Sequence, residues 1–111
     1  MKPGTGMFSG TKGVWTYSVP QKAQDVYDYV IDHNGSPPKN YVGGSTYKNE
    51  PHEGEAKLPD GVKYKEYDVN PHVKGQDRGD ERLVIDENGI AYYTDSHYIS
   101  FIKLDKKNKG D

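Results

Sequence analysis

Apolar residues recur at Ala23, Val26, Tyr27, Val30 and Ile31, the i, i+3, i+4, i+7, i+8 spacing of one helix face. Ser18 suits an N-cap, Pro20 a first turn, and Asn34-Gly35 a left-handed stop. The pattern predicts a helix over about residues 20–33. Beyond it the periodicity lapses. Residues 36–44 carry Pro37-Pro38 and Gly43-Gly44 and read as a loop. Residues 45–61 include the polar run 48–55 and read as a second, exposed loop. From residue 62 the period becomes two. Val62–Val69 alternates and predicts a strand, and Arg82–Asp86 predicts a second. Asn88-Gly89, a dipeptide favoured in type I′ hairpins, leads into a third strand, Ile90–Thr94. Thr94-Asp95-Ser96 turns the chain into a fourth, His97–Leu104. A helix followed by successive antiparallel strands is an α+β domain. Val14–Tyr17 reads as a short strand or a packing anchor, and residues 1–13 and 105–111 as loose ends.

Length and composition narrow the picture. The 111 residues make one domain with a modest core. Ten Tyr supply rings that pack and hydroxyls that bond at a wet cleft. The absence of Cys excludes disulfides and Cys-based metal sites. No apolar run reaches membrane-spanning length, and the first residues lack the apolar core of a signal peptide. A net charge of −2 excludes a general nucleic-acid coat, so any contact with an anion must come from a local cationic cluster.

Three features offer chemistry. Both arginines of the chain, Arg78 and Arg82, lie four apart at the entrance of the Arg82–Asp86 strand, whereas every other basic side chain apart from histidine is Lys. Arg presents a planar fork of donors that fits a phosphate at two points. The plainer alternative is a surface pair neutralised by Asp77, Asp80 and Glu81. Glu66 sits mid-strand in phase with Val62 and Tyr64, and a carboxylate among such groups suits a general base. Its plainer alternative is a solvent-facing partner of Lys63 or Lys65. His97, in phase with Ile99 and Phe101, could serve as a general acid or be merely structural. His33, His52 and His72 show no metal-ligand spacing and read as surface residues. Spacing alone stops at a small α+β domain with a candidate anion site.

Taken together, the segments resemble the microbial ribonuclease family, the barnase and Streptomyces guanyl-specific type. Lys65-Glu66-Tyr67-Asp68-Val69 resembles the strand bearing the catalytic Glu, and Arg78 to Ile85 resembles the Arg-x-x-x-Arg segment running into an apolar strand. Tyr92-Tyr93-Thr94-Asp95-Ser96-His97-Tyr98-Ile99-Ser100-Phe101 resembles the family ending, with Ser96 where Asp is common. Gly43-Gly44, Tyr47-Lys48-Asn49 and Glu55 to Pro59 resemble the base-recognition loop, which is about four residues longer here.

The resemblance implies an N-terminal helix packed on a twisted antiparallel sheet, with single-stranded RNA across the concave face. It implies an endoribonuclease that needs neither metal nor cofactor and forms a 2′,3′-cyclic phosphate, with Glu66 as base, His97 as acid, and Arg78 and Arg82 on the phosphate. Tyr98 is expected near the phosphate. Tyr47, Lys48, Asn49 and Glu55 are expected at the guanine base, with Glu50 and Glu53 as alternatives to Glu55. It further implies a monomer, secreted or delivered as a toxin domain, with a barstar-like inhibitor or immunity protein as partner. The competing expectation is a catalytically weak RNA- or protein-binding module of the same fold, which would not need a matched acid and base.

Overall fold

The computed structural model describes residues 19–104. The expected Val14–Tyr17 element, the Ser18 cap and both loose ends lie outside the described residues. Helix α1 spans Gln21–Asp32. The Pro20 carbonyl accepts its first bonds, from the amides of Ala23 (2.9 Å) and Gln24 (3.3 Å). The helix stops where Asn34 and Gly35 both take positive φ, and the Gly35 amide bonds back to the Val30 carbonyl at 2.9 Å. Ala23, Val26, Tyr27 and Val30 are buried as the spacing predicts, but Ile31 is 45% exposed. It lies at the edge of the stripe and past the rim of the sheet.

Five strands form an antiparallel meander in sequence order: β1 Gly43–Tyr47, β2 Tyr64–Asp68, β3 Arg82–Asp86, β4 Ala91–Thr94 and β5 Ile102–Lys103. β3 is buried along its whole length because both its faces are covered. On one face α1 packs over Tyr67, Leu83, Ile85 and Tyr93. On the other, Leu58 and Tyr98 close over Tyr64 and Val84. The apolar α1 stripe stabilises the fold through this burial, each fully buried Val contributing roughly 1.5–3 kcal/mol.

Three sequence expectations change. β1 occupies what reads as loop, because Gly43-Gly44-Ser45-Thr46-Tyr47 is a half-exposed edge strand with no apolar alternation. Gly43 is required there: a Cβ would lie 2.5 Å from the Tyr67 ring and 3.1 Å from its Cα. A register shift follows between Gly43 and Ser45, where Gly44 has φ +96. The β3–β4 hairpin is a three-residue loop, Glu87–Gly89, and not a two-residue type I′ turn. Only Gly89 takes positive φ there, and the Asp86 carboxylate accepts the amides of Asn88 (2.8 Å) and Ile90 (2.9 Å). The fourth predicted strand shrinks to β5, since residues 97–100 form turns.

A polar clasp ties α1 to the sheet beside the arginine segment. Glu81 accepts from Lys22 at 2.7 Å, Asn70 at 3.0 Å and the Tyr93 hydroxyl at 2.6 Å. Burial alone raises the Glu81 carboxyl, but these three bonds and the Lys22 charge outweigh it and bring it from 4.5 down to about 2. The folded state therefore binds fewer protons than the unfolded one between these values. The clasp stabilises the fold fully above pH 4.5 and loses that contribution as the pH falls towards 2. Glu81→Gln should lower stability at pH 7 by about 2 kcal/mol, allowing for the half-exposed Lys22, and by much less near pH 2. Urea unfolding of both proteins at the two pH values checks this.

Candidate active site

The site grows out of two neighbouring rows of the sheet, on the face away from α1. Ladder register puts Glu66 opposite Val84, and Val84 opposite Tyr92. The next row runs Asp68, Arg82, Thr94. Side chains directly opposite share a face, so the carboxylates of Glu66 and Asp68, the Arg82 guanidinium and the Thr94 hydroxyl emerge together.

Tyr98 closes one wall. Its hydroxyl donates to Glu66 Oε1 in a short hydrogen bond. Burial first, then that bond and the Glu66 charge, push the Tyr98 phenol well above its ordinary value. It stays protonated and remains a donor to the carboxylate. Tyr47 stacks on Tyr98 with centroids 5.1 Å apart, and Phe101 meets Tyr47 edge-on at 6.5 Å.

His97 stands beside Tyr98, exposed, with the two rings tilted and 4.7 Å apart. Both residues take positive φ, 55 and 80, a conformation that costs a non-glycine residue energy and must be held by its surroundings. The holding groups are identifiable. Buried Thr94 Oγ1 accepts the amides of Ser96 (3.2 Å) and Tyr98 (3.1 Å). The His97 amide donates to the Asp80 carbonyl at 3.1 Å, and the Tyr98 carbonyl accepts from Ala56 at 3.1 Å. One turn is thus pinned to the arginine segment on one side and to the 49–58 loop on the other.

The arginines differ in setting. The Arg82 side chain is 8% exposed; its Nε lies 3.2 Å from Asp68 Oδ1, and its Nη1 donates to the carbonyls of Gly79 and Glu81, both at 2.9 Å. Arg78 is 45% exposed and grips Asp68 at two points, Nε to Oδ2 at 2.7 Å and Nη2 to Oδ1 at 2.9 Å. A carboxylate, an imidazole and two guanidinium groups gathered around these rows are groups with which phosphodiester transfer can be carried out.

A family model for ribonucleases matches residues 3–105. The chain belongs to the microbial ribonuclease family. It is similar to the guanyl-specific ribonuclease St of Saccharopolyspora erythraea, at 34% identity over 98 residues that cover 86% of this chain and 90% of that one. It is similar in structure to ribonuclease Sa2 solved with guanosine-2′-cyclophosphate, with a TM-score of 0.53, 32% identity, and coverage of 80% of this chain and 89% of the other. A second structure, from work on ribonuclease Sa2 complexes with mononucleotides, matches with a TM-score of 0.54 and 31% identity over 78% and 85% of the two chains. The helix and antiparallel sheet described above are the microbial ribonuclease fold.

In this ribonuclease the residues expected at the base divide. Glu55 is half-buried and shares the Tyr47 wall: burial, then the charges of Glu55 and Glu66, raise the Tyr47 hydroxyl. Its Oε1 also accepts the His52 amide at 2.9 Å. Lys48 and Glu50 line a groove beside α1 with Val30 and Ile31, and Tyr47 borders the same groove. The Asn49 side chain is buried and engaged in a two-way clip, donating to the Leu58 carbonyl at 2.8 Å and accepting the Leu58 amide at 2.9 Å. It closes the loop that displays Glu55. Asp68 is the site residue that sequence reading missed. It was legible only as a second carboxylate in phase with Glu66, and became visible as a partner of the arginines once the β2–β3 register was known.

Proposed function

We propose that this ribonuclease is an endoribonuclease that cuts single-stranded RNA after guanosine by transfer to a 2′,3′-cyclic phosphate. The observation that supports the reading is a chain of contacts around neighbouring rows of the sheet: Tyr98 on Glu66, His97 beside Tyr98, and Arg78 and Arg82 on Asp68. Glu66, aligned by Tyr98, takes the proton of the ribose 2′-hydroxyl. The 2′-oxygen bonds to the adjacent phosphorus as the bond to the 5′-oxygen breaks, and His97 gives that oxygen its proton. Arg78 and Arg82 hold the non-bridging oxygens as their charge grows. In the second step His97 takes a proton from water, the water oxygen bonds to phosphorus as the phosphorus–2′-oxygen bond breaks, and Glu66 returns a proton to the 2′-oxygen, leaving a 3′-phosphate. The chemistry requires a 2′-hydroxyl, so DNA is not a substrate.

Guanine preference rests on Glu55 accepting from the base edge, with Tyr47 contributing its ring. Glu55 is half-buried and its charge bears on the Tyr47 hydroxyl, which supports it over the exposed Glu50 and Glu53. The relatives' names, guanyl-specific ribonuclease St and ribonuclease Sa2 with its guanosine ligand, point the same way. The reading extends to a monomeric enzyme acting outside the cell that makes it, as a secreted ribonuclease or a toxin domain. An acidic inhibitor or immunity protein would cover the arginine cleft.

Purified protein should digest RNA in EDTA, leave DNA intact, and yield fragments whose 3′ ends are guanosine cyclic phosphate. Sequencing of the fragment ends checks this. Ends without base preference would remove the guanine assignment, and digestion that stops in EDTA would remove the side-chain-only mechanism.

A further inference from the structure

Asp68 is 1% exposed, and both its oxygens face arginine. A buried carboxylate is costly unless its partners satisfy it, and here two guanidinium groups do so. The geometry also decides what is left over. Arg78 commits its Nε and one N–H of Nη2 to Asp68, which leaves Nη1 and the other N–H of Nη2 uncommitted on a side chain that is 45% exposed. Arg82 directs Nε at Asp68 and Nη1 at two carbonyls, which leaves Nη2. Without Asp68, nothing among the described residues fixes the exposed Arg78 side chain, whose recorded bonds are both to this carboxylate.

We propose that Asp68 is a positioning residue for catalysis, locking the two arginines so that their remaining N–H groups converge on the phosphate. This rests on the phosphate role of the arginines proposed above. Asp68 touches no reacting atom. Its removal also takes a negative charge from a cluster in which Glu66 and Asp68 balance Arg78 and Arg82. A loosened and more cationic clamp still attracts the ground-state phosphodiester but no longer matches the transition state. The expected signature is therefore a loss in kcat without a rise in KM.

The test compares wild type, Asp68→Asn, Arg78→Lys and the double variant on a guanosine-containing dinucleoside phosphate, at low temperature and with the folded fraction measured by circular dichroism. Asp68→Asn is expected to lower kcat by about 10- to 100-fold with KM unchanged or lower. In the Arg78→Lys background the same change should have little further effect, because the positioned fork is already gone. If Asp68→Asn does not fold, Asp68→Thr, which suits a strand and keeps an acceptor oxygen, replaces it with the same expectation. Wild-type kcat in either folded variant, or equal losses in both backgrounds, overturns the positioning role. If Arg78→Lys itself keeps wild-type kcat, the clamp reading fails and the proposal fails with it.

Discussion

Replacing Glu66 with Ala should lower kcat/KM on RNA by about 10²- to 10⁴-fold, and His97→Ala should do the same. Neither change should unfold the protein. Glu66 is only half-buried and His97 is exposed, so truncating them removes little packing. The double variant should lose far less than the product of the two single losses, because acid and base serve one proton-transfer cycle and removing either disables it. Steady-state kinetics on a dinucleoside phosphate, with melting curves alongside, checks both statements. A drop in activity that follows a drop in melting temperature would give these residues a structural role instead. Tyr98 sharpens the expectation for Glu66. Its hydroxyl holds Oε1 and leaves Oε2, the oxygen that in the proposed mechanism takes the ribose proton.

The second large effect separates the two arginines. Arg82→Ala should cost about 3 kcal/mol of stability, because it strips a partner from a carboxylate that is 1% exposed and leaves two carbonyls without their donor. For a domain of this size that is a fall in melting temperature of ~15 °C. Arg78→Ala should cost only about 1 kcal/mol, because the space vacated by a side chain 45% exposed admits water to the same carboxylate. Activity should order differently. Arg78→Ala loses the outward fork and about 10²- to 10³-fold in kcat, while the protein remains folded. Thermal melts and kinetics on the two variants test the division. Equal destabilisation by both would mean that Asp68 is not anchored chiefly from the Arg82 side.

Much of this architecture was legible in the sequence. The α1 stripe, the apolar run of β3 and the breaker at Asn34-Gly35 follow from periodicity and backbone preference, which are local. β1 was not legible, because an edge strand of Gly, Ser and Thr is defined by its hydrogen bonds to β2 and not by an apolar pattern. The turn at 97–100 was hidden for a related reason: HYISFIKL alternates like a strand, yet the Thr94 hydroxyl captures two amides and bends the chain into positive φ. That bend sets His97 beside Tyr98. Glu66, Arg78, Arg82 and His97 became candidates through family resemblance; the register then set Glu66 and Arg82 in neighbouring rows, with Arg78 on Asp68 and His97 beside Tyr98. The Asn49 side chain is engaged in a loop clip, and Lys48 lines the groove beside α1. Asp68 depended on register, which sequence does not specify.

The pairing of Glu66 with His97 is tested most directly by the pH dependence of kcat/KM on a guanosine dinucleoside phosphate. The mechanism requires Glu66 ionised and His97 protonated, so the profile should be bell-shaped, with the acid limb lost in Glu66→Ala and the alkaline limb lost in His97→Ala. A profile that is flat from about pH 4 to about pH 9, or limbs that survive unchanged in both variants, would contradict it.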